Sequence, residues 1–191
     1  MANRFYFLFF GLIGTIGLLA QFIYFPDLID YLSLFTILSN ILAATIFLYL
    51  GIKGRNKYSK SISLLLGAST TYIILTSIGY WLFLRDEPVA IPWINIVLHL
   101  VMPIAVIAGW LIHNHSNRLK YTDVLKWLIF PLIYLVYSIL RDVFTDWSPY
   151  PFLNPDKVGG YGGVFMYVVV FSIVTCLVGA GIIFINNKLS R

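Results

Sequence analysis

Residues 162–185 read GGVFMYVVVFSIVTCLVGAGIIFI and contain no charged side chain. A bilayer core about 30 Å thick requires roughly 20 consecutive apolar residues in a helix. Five more stretches meet this requirement, namely 5–25, 30–52, 61–84, 93–112 and 124–142. The sequence therefore predicts an all-α, polytopic membrane protein in which six transmembrane helices form a single domain over residues 1–191.

The composition excludes an ordinary soluble domain. Hydrophobic residues make up 60% of the 191 residues and charged residues only 11%, and the mean hydropathy is +0.87. Too little polar surface is available to cover a soluble fold. The net charge of +5 does not indicate nucleic-acid binding, because the charges lie almost entirely between the apolar stretches. We therefore expect membrane lipid and no nucleic acid as a partner, and the oligomeric state stays open.

The distribution of basic residues predicts the orientation, since cytoplasmic loops carry an excess of Lys and Arg. If the six stretches alternate in direction, ten basic residues fall on one side: Arg4, Lys53, Arg55, Lys57, Lys60, Arg118, Lys120, Lys126, Lys188 and Arg191. Only Arg85, Arg141 and Lys157 fall on the other side. This asymmetry predicts a multi-pass protein of the plasma membrane with both termini in the cytoplasm.

One connection, residues 143–161 on the predicted outer face, is long and rich in aromatic residues. Its centre, residues 147–155, reads WSPYPFLNP and is followed by glycines at 159, 160, 162 and 163. Loops of this length without regular structure are usually functional or disordered. The segment is either a lid over a cavity or an aromatic anchor in the membrane interface. Within it, Tyr150 and Asn154 are candidate substrate-binding residues.

Thr36 and His99 are the best candidates for chemistry. His99 is the only histidine within an apolar stretch, and ionisable groups in a membrane usually face the bundle interior, where they mark sites. With Asp30 and Trp93 as the outer ends of the second and fourth stretches, both side chains lie about 9 Å deep at 1.5 Å per residue. Both helices run inward from the outer face, so we expect the two side chains at one depth.

Further polar side chains share the predicted faces of these helices. Asn40 lies one turn from Thr36, and Asn95 lies one turn from His99, which places each pair on one face. The fifth stretch carries a polar stripe: Tyr134, Tyr137, Ser138 and Arg141. We expect these faces to converge on one outer cavity, with extension of Arg141 to the interface as the alternative. A stripe on the third stretch, Ser69, Tyr72, Thr76 and Tyr80, is interpreted as structural.

These residue types suit hydrolysis, because a threonine hydroxyl is a weak nucleophile that needs a base, and a neutral imidazole is the usual one. The neighbouring amides and hydroxyls are available donors to a developing oxyanion. In the structural alternative, Thr36 bonds its own helix and His99 bonds a carbonyl or hydroxyl across the bundle. The other histidines, His113 and His115, are too few for a zinc site and are interpreted as a solvated turn. No metal or cofactor is expected.

Three patches of the sequence resemble a known family. They are residues 35–40 (FTILSN), 99–103 (HLVMP) and 150–155 (YPFLNP) with 160–162 (GYG). Together they resemble the bacterial branch of the six-span membrane proteins related to the androgen-induced protein. In animal members of that family, a threonine in span two and a histidine in span four form an intramembrane dyad that hydrolyses fatty acid esters of hydroxy fatty acids. The resemblance implies that Thr36 is the nucleophile and His99 the base.

The sequence thus favours an intramembrane hydrolase that cleaves a lipid ester through Thr36 and His99. The resemblance supports the mechanism more than the substrate, because the 150–154 motif looks like a feature of the bacterial branch. The alternative is a non-enzymatic membrane protein whose polar cavity binds or transports an amphiphile or passes a proton through His99. Transporters often contain internal repeats, and none is evident in this sequence.

Overall fold

A computed structural model describes residues 2–54, 58–87, 91–113 and 115–190. Six helical segments in this part of the chain are long and apolar enough to cross a membrane: Asn3–Tyr24, Phe35–Lys53, Lys60–Phe83, Pro92–Ile112, Tyr121–Thr145 and Tyr161–Leu189. The described residues form no β-strand. The prediction of an all-α chain with six such segments is confirmed.

The α-helices are α1 (Ala2–Tyr24), α2 (Leu28–Leu32), α3 (Phe35–Lys53), α4 (Lys60–Phe83), α5 (Pro92–Ile96), α6 (Met102–Ile112), α7 (Val124–Thr145), α8 (Pro155–Val158) and α9 (Tyr161–Leu189). A π-helical turn, Val97–Val101, joins α5 to α6. Two 3₁₀ turns, Tyr121–Asp123 and Pro151–Leu153, precede α7 and α8. The four elements that build the candidate site are α3, α4, the π turn and the segment between α7 and α9.

Residues 3 and 186, near the two ends of the chain, lie at the same end of the helical bundle, called the termini end below. The Asn3 side chain donates to the carbonyl of Ile112 at 2.9 Å, and the Asn186 side chain donates to the carbonyl of Asn117 at 2.9 Å. The opposite end, called the site end, holds Thr36. Of the basic residues used to predict orientation, Arg55, Lys57 and Arg191 lie outside the described residues.

The predicted start of the second span, at residue 30, is wrong. Residues 28–32 form the separate helix α2, capped by the Asp27 carboxylate, which accepts from the Asp30 N–H at 2.8 Å. The chain turns at Ser33, whose N–H bonds to the carbonyls of Ile29 and Asp30. Helix α3 begins at residue 35. Thr36 is therefore the second residue of its helix, whereas the depth argument placed it six residues inside a span.

The core lies between α3, α4, α6 and α9, where large side chains such as Phe47, Ile73, Trp110 and Ile183 are almost fully buried. Helix α1 packs along α3 through a close approach at Gly11. A Cβ atom added there would lie 2.9 Å from the Leu48 side chain and 3.0 Å from its backbone nitrogen. Small residues allow helices to approach this closely in membrane proteins.

Tyr72 compensates for a proline inside the neighbouring helix α7. Pro131 has no N–H, so the carbonyl of Trp127, four residues earlier, lacks its helical donor. The Tyr72 hydroxyl donates to that carbonyl at 2.9 Å. Because an unpaired polar group in an apolar interior is costly, this bond links α4 firmly to α7, and it bears out the structural interpretation of Tyr72.

We predict that Tyr72→Phe lowers the free energy of unfolding by about 1 kcal/mol, since it leaves the Trp127 carbonyl unpaired. Adding Pro131→Ala to this variant restores a backbone N–H and recovers most of the loss. Equilibrium unfolding in mixed micelles measures both effects. Tyr6→Phe is the matched control, because the Tyr6 hydroxyl also bonds a carbonyl, that of Ala105, but no proline is involved. Additive effects of Tyr72→Phe and Pro131→Ala would contradict the prediction.

The prediction of a solvated turn at His113 and His115 is wrong, because both side chains are buried at the termini end. His113 packs against the Tyr58 ring with centroids 5.4 Å apart, and His115 Nδ1 lies 2.9 Å from the Asn186 side-chain oxygen. These partners are distant in sequence, so local polarity did not reveal the packing. Burial, together with the neighbouring His115, lowers the pKa of His113 to about 4.

We predict that the protein loses stability as the pH falls from 7 toward 4. An unfolded chain protonates His113 below its ordinary pKa of about 6.5, whereas the folded protein does so only near 4. The unfolded state therefore binds more protons across this window, and stability rises with pH there. Thermal unfolding in detergent should show a shallower pH dependence for His113→Gln than for the wild type. Parallel curves for the two proteins would contradict this.

Candidate active site

Thr36 and His99 meet at the site end of the bundle. The Thr36 Oγ1 atom lies 3.3 Å from His99 Nε2, with Thr36 in the first turn of α3 and His99 in the π turn. Thr36 is buried and His99 half-buried. The structure therefore brings together the two residues that the sequence singled out.

The His99 ring is oriented by its own helix. Its Nδ1 atom lies 3.1 Å from the backbone carbonyl oxygen of Asn95. Because a carbonyl only accepts hydrogen bonds, Nδ1 carries the proton, and Nε2 presents a lone pair to the Thr36 hydroxyl. Tyr80 stacks on the imidazole with centroids 4.2 Å apart and planes 26° from parallel. The pair has the geometry of a hydroxyl next to an oriented base.

The backbone around His99 departs from the α-helix in a way that sequence explains. The Met102 N–H bonds to the Val97 carbonyl, one residue further back than in an α-helix. Pro103 has no N–H. The carbonyls of Leu98 and His99 therefore lose the donors that an α-helix supplies.

Neighbouring helices supply the missing donors. The Asn40 side chain of α3 donates to the Leu98 carbonyl at 3.3 Å. Ser77 Oγ and Trp81 Nε1 of α4 donate to the His99 carbonyl at 3.1 and 3.3 Å. These bonds fix the π turn against α3 and α4, and with it the position of the imidazole.

Tyr150, from the segment between α7 and α9, covers Thr36. Its hydroxyl accepts from the Thr36 backbone N–H at 3.1 Å and lies 3.3 Å from Thr36 Oγ1. Its ring stacks on Phe152 with centroids 5.1 Å apart. Burial raises the pKa of Tyr150 above its ordinary value, so the phenol stays protonated and is able to donate. The 143–161 segment thus lies over the candidate site.

The polar stripe of α7 holds the start of α3 in place. The Tyr134 hydroxyl donates to the Ser33 carbonyl at 2.9 Å, and the Tyr137 hydroxyl lies 2.6 Å from Ser33 Oγ. Arg141 pairs with Asp30 and stacks on the Trp147 ring at 3.8 Å. The Arg141 side chain is only 14% exposed, so it packs against other residues of the protein.

The remaining predicted residues lie around the site in supporting positions. Asn40 also donates to the carbonyl of Thr36 at 2.8 Å, and the Asn95 side chain donates to the Tyr80 hydroxyl. Ser138 bonds the carbonyl of Tyr134 in its own helix. Asn154 caps α8, where its side-chain oxygen accepts from the N–H groups of residues 156 and 157. In this structure the Asn154 side chain is therefore occupied as a helix cap.

Sequence reasoning missed Ser77, Tyr80 and Trp81 as parts of the site. Tyr80 was grouped with a structural stripe, and the other two were not considered. A signal was present in the sequence, since Pro103 lies four residues after His99. That spacing predicts an unpaired His99 carbonyl, and a donor from a neighbouring helix follows from it.

Two cavities meet at Thr36. One, called the apolar cavity, lies between α3, α4, α7, α9 and residues 150–153. The other lies between α5, the ends of α1 and α4, and residues 149–151, and it is called the polar cavity because Gln21, Glu87, Asn95 and His99 line it beside apolar side chains. Four residues line both cavities: Thr36, Tyr80, Leu84 and Tyr150. His99 lines the polar cavity.

No protein-family model, curated protein or solved structure matches this chain. Among the residues that the structure describes, no three His, Cys, Asp or Glu side chains lie together as metal ligands would. Functional roles for Thr36 and His99 therefore rest on the geometry of the site and on the motifs that carry the resemblance.

Proposed function

We propose that this protein is an intramembrane hydrolase that cleaves a lipid ester, with Thr36 as nucleophile and His99 as general base. The observation that carries the proposal is the 3.3 Å contact between Thr36 Oγ1 and His99 Nε2, on an imidazole whose Nδ1 is held by a backbone carbonyl. A nucleophile, a base and a group that orients the base are the recurring parts of such sites. The resemblance to the androgen-induced protein family implies the same roles for the same two residues.

In the proposed reaction, Thr36 Oγ1 attacks the ester carbonyl while His99 Nε2 takes the hydroxyl proton. The tetrahedral intermediate collapses, the bond to the alcohol oxygen breaks, and His99 returns the proton to the leaving alcohol. His99 then deprotonates a water molecule, which attacks the acyl-threonine. The bond between the acyl carbon and Thr36 Oγ1 breaks, His99 returns the proton to Thr36 Oγ1, and the fatty acid is released. His99 thus takes up one proton and returns it in each half of the reaction.

The start of α3 is suited to stabilise the oxyanion of the intermediate. The N–H groups in the first turn of a helix have no helical acceptor and lie at the positive end of the helix dipole. The Thr36 N–H is one of these, and in this structure it donates to the Tyr150 hydroxyl. An ester carbonyl oxygen placed between these two groups accepts hydrogen bonds from the Thr36 N–H and from the Tyr150 hydroxyl.

We further propose that the six apolar segments cross the plasma membrane with both termini in the cytoplasm. The excess of Lys and Arg at the termini end supports this orientation. The site end, with Thr36, Tyr150 and the polar cavity, then faces the outer leaflet. A lipid ester reaches this site laterally from the membrane, and its reaction requires no cofactor.

We predict that Thr36→Val and His99→Ala each lower ester hydrolysis by roughly 10²–10⁴-fold, the usual range for loss of such a group. The double variant is no worse than either single variant, because the two residues act as a unit. Thr36→Ser keeps a hydroxyl and retains more activity than Thr36→Val. Labelling by a fluorophosphonate probe and release of fatty acid from a lipid ester measure these effects.

Thr70→Val is the matched control for this experiment. Thr70 is buried like Thr36, but its hydroxyl bonds the Leu66 carbonyl of its own helix at 2.8 Å. The control variant should label and hydrolyse like the wild type. If Thr36→Val remains fully active on the ester that the wild type cleaves, the nucleophile assignment is wrong. If the wild type neither reacts with the probe nor cleaves a lipid ester, binding or transport of an amphiphile takes the place of hydrolysis.

We predict that a reporter protein fused after Arg191 lies in the cytoplasm. Alkaline phosphatase fused there should be inactive, whereas green fluorescent protein should fluoresce. The physical reason is the bias of Lys and Arg toward the cytoplasmic side. Active phosphatase at this position would reverse the proposed orientation.

A further inference from the structure

We infer, on the basis of the proposed hydrolase, that the two cavities divide the substrate at its ester bond. The acyl chain occupies the apolar cavity, and an alcohol that is polar and carries no negative charge occupies the polar cavity. The substrate class is therefore a fatty acyl ester of a neutral polar alcohol, such as an acylglycerol. This differs from the esters that the resemblance implies, whose alcohol is a hydroxy fatty acid with a carboxylate and a second hydrocarbon chain.

The apolar cavity presents no free polar group, although several of its lining residues carry hydroxyls. Ser172 and Thr175 each bond a carbonyl of α9 at 2.7 Å. Thr76 bonds Ser39 at 2.8 Å, and Tyr134 bonds the Ser33 carbonyl. The remaining surface is provided by apolar side chains such as those of Leu75, Leu135, Phe152 and Phe171. A hydrocarbon chain is the ligand that this surface fits.

The polar cavity has free hydrogen-bonding groups. The Gln21 amide and the Glu87 carboxylate line it, and neither bonds to a residue that the structure describes. Among the described residues that line this cavity, Glu87 is the only Asp, Glu, Lys or Arg. An uncharged alcohol finds donors and acceptors here, whereas an anionic alcohol meets a like charge.

Thr36 lies in the wall between the two cavities. An ester carbonyl placed at Thr36 Oγ1 therefore directs one part of the molecule into each cavity. His99 lines the polar cavity and not the apolar one. Since the base must return its proton to the leaving alcohol oxygen, the alcohol belongs on the side where His99 lies, and the acyl chain belongs on the other.

Gly79 offers a way to shorten the apolar cavity without touching the dyad. It lines that cavity alone, and a Cβ atom added there meets only the Phe171 ring, at 3.7 Å. A leucine side chain at this position fits the backbone and occupies space that the acyl chain needs. Gly181→Leu is the matched control, because a Cβ at this helical glycine of α9 meets nothing within 4 Å.

The test measures release of fatty acid from a series of monoacylglycerols, from hexanoyl to hexadecanoyl glycerol. In Gly79→Leu, the longest chain cleaved at the wild-type rate should shorten by about four carbons, the size of the added side chain. Hexanoyl glycerol should still be cleaved normally. Gly181→Leu should show the wild-type profile. An unchanged length profile in Gly79→Leu would overturn the assignment of the acyl chain.

Glu87→Gln tests the alcohol side. The wild type should cleave decanoyl glycerol at least about tenfold faster than the decanoyl ester of hydroxystearic acid, because the carboxylate of the second ester meets the like charge of Glu87. Glu87→Gln removes the like charge, so this ratio should fall while the acyl length profile stays the same. A wild type that prefers the hydroxystearate ester would overturn the assignment of the alcohol.

A binding readout separates failure of this inference from failure of the proposed hydrolase. Thr36→Val protein is irradiated with a monoacylglycerol that bears a diazirine at the end of its acyl chain. Saturable labelling should map to α4 and α9 near Leu75 and Phe171, and Gly79→Leu should abolish it. Labelling there without any hydrolysis by the wild type rejects the enzyme and keeps the chain site. Labelling near Ile91 and Pro149 rejects the chain site, whether or not the wild type hydrolyses esters.

Discussion

Pro103 leaves the His99 carbonyl without a helical donor, and the position of His99 depends on how that oxygen is bonded. In an apolar interior no water replaces the missing N–H, so a donor must come from another helix. Ser77 and Trp81 of α4 provide it. Helix α4 plays the same part at Pro131, where Tyr72 bonds the Trp127 carbonyl. One helix therefore holds both proline-interrupted spans, and the imidazole is fixed as a consequence.

The other half of the dyad depends on the start of α3, which a different set of bonds fixes. Tyr134 and Tyr137 of α7 bond Ser33 in the turn that precedes α3, and Arg141 pairs with Asp30 of α2. Asn40 then connects the two halves, because its amide bonds both the Thr36 and the Leu98 carbonyls. The contact between Thr36 and His99 is thus set from both sides by hydrogen bonds that involve neither Thr36 Oγ1 nor His99 Nε2.

The candidate dyad followed from the sequence because polar residues are scarce in the apolar stretches, so the few present stand out. The depth argument that paired them used a wrong boundary. That boundary, Asp30, lies within α2, and the turn at Ser33 ends α2 before α3 begins. An apolar run carries no signal for such a turn, since Leu32 and Leu34 on either side suit a helix equally well.

The sequence does not predict other features of the structure, because they depend on residues that are far apart in the chain. His113 and His115 are polar residues in a polar connection, and only the packing of Tyr58 and Asn186 buries them. Asn154 resembled a ligand-binding residue, yet it precedes Pro155, which begins α8. Asn followed by Pro is a common helix start, so this local signal favoured the cap that the structure contains.

The Thr36 hydroxyl is bonded differently from those of most other helical threonines, although Thr76 likewise bonds a residue of another helix, Ser39. Thr15, Thr70, Thr71, Thr145 and Thr175 each bond the carbonyl four residues earlier in the same helix. This is the ordinary way for a threonine to satisfy its hydroxyl in an apolar helix. Thr36 lies in the first turn of α3, and its hydroxyl contacts His99 and Tyr150. The structural alternative predicts a bond between the Thr36 hydroxyl and its own helix, whereas both partners of this hydroxyl belong to other elements of the fold.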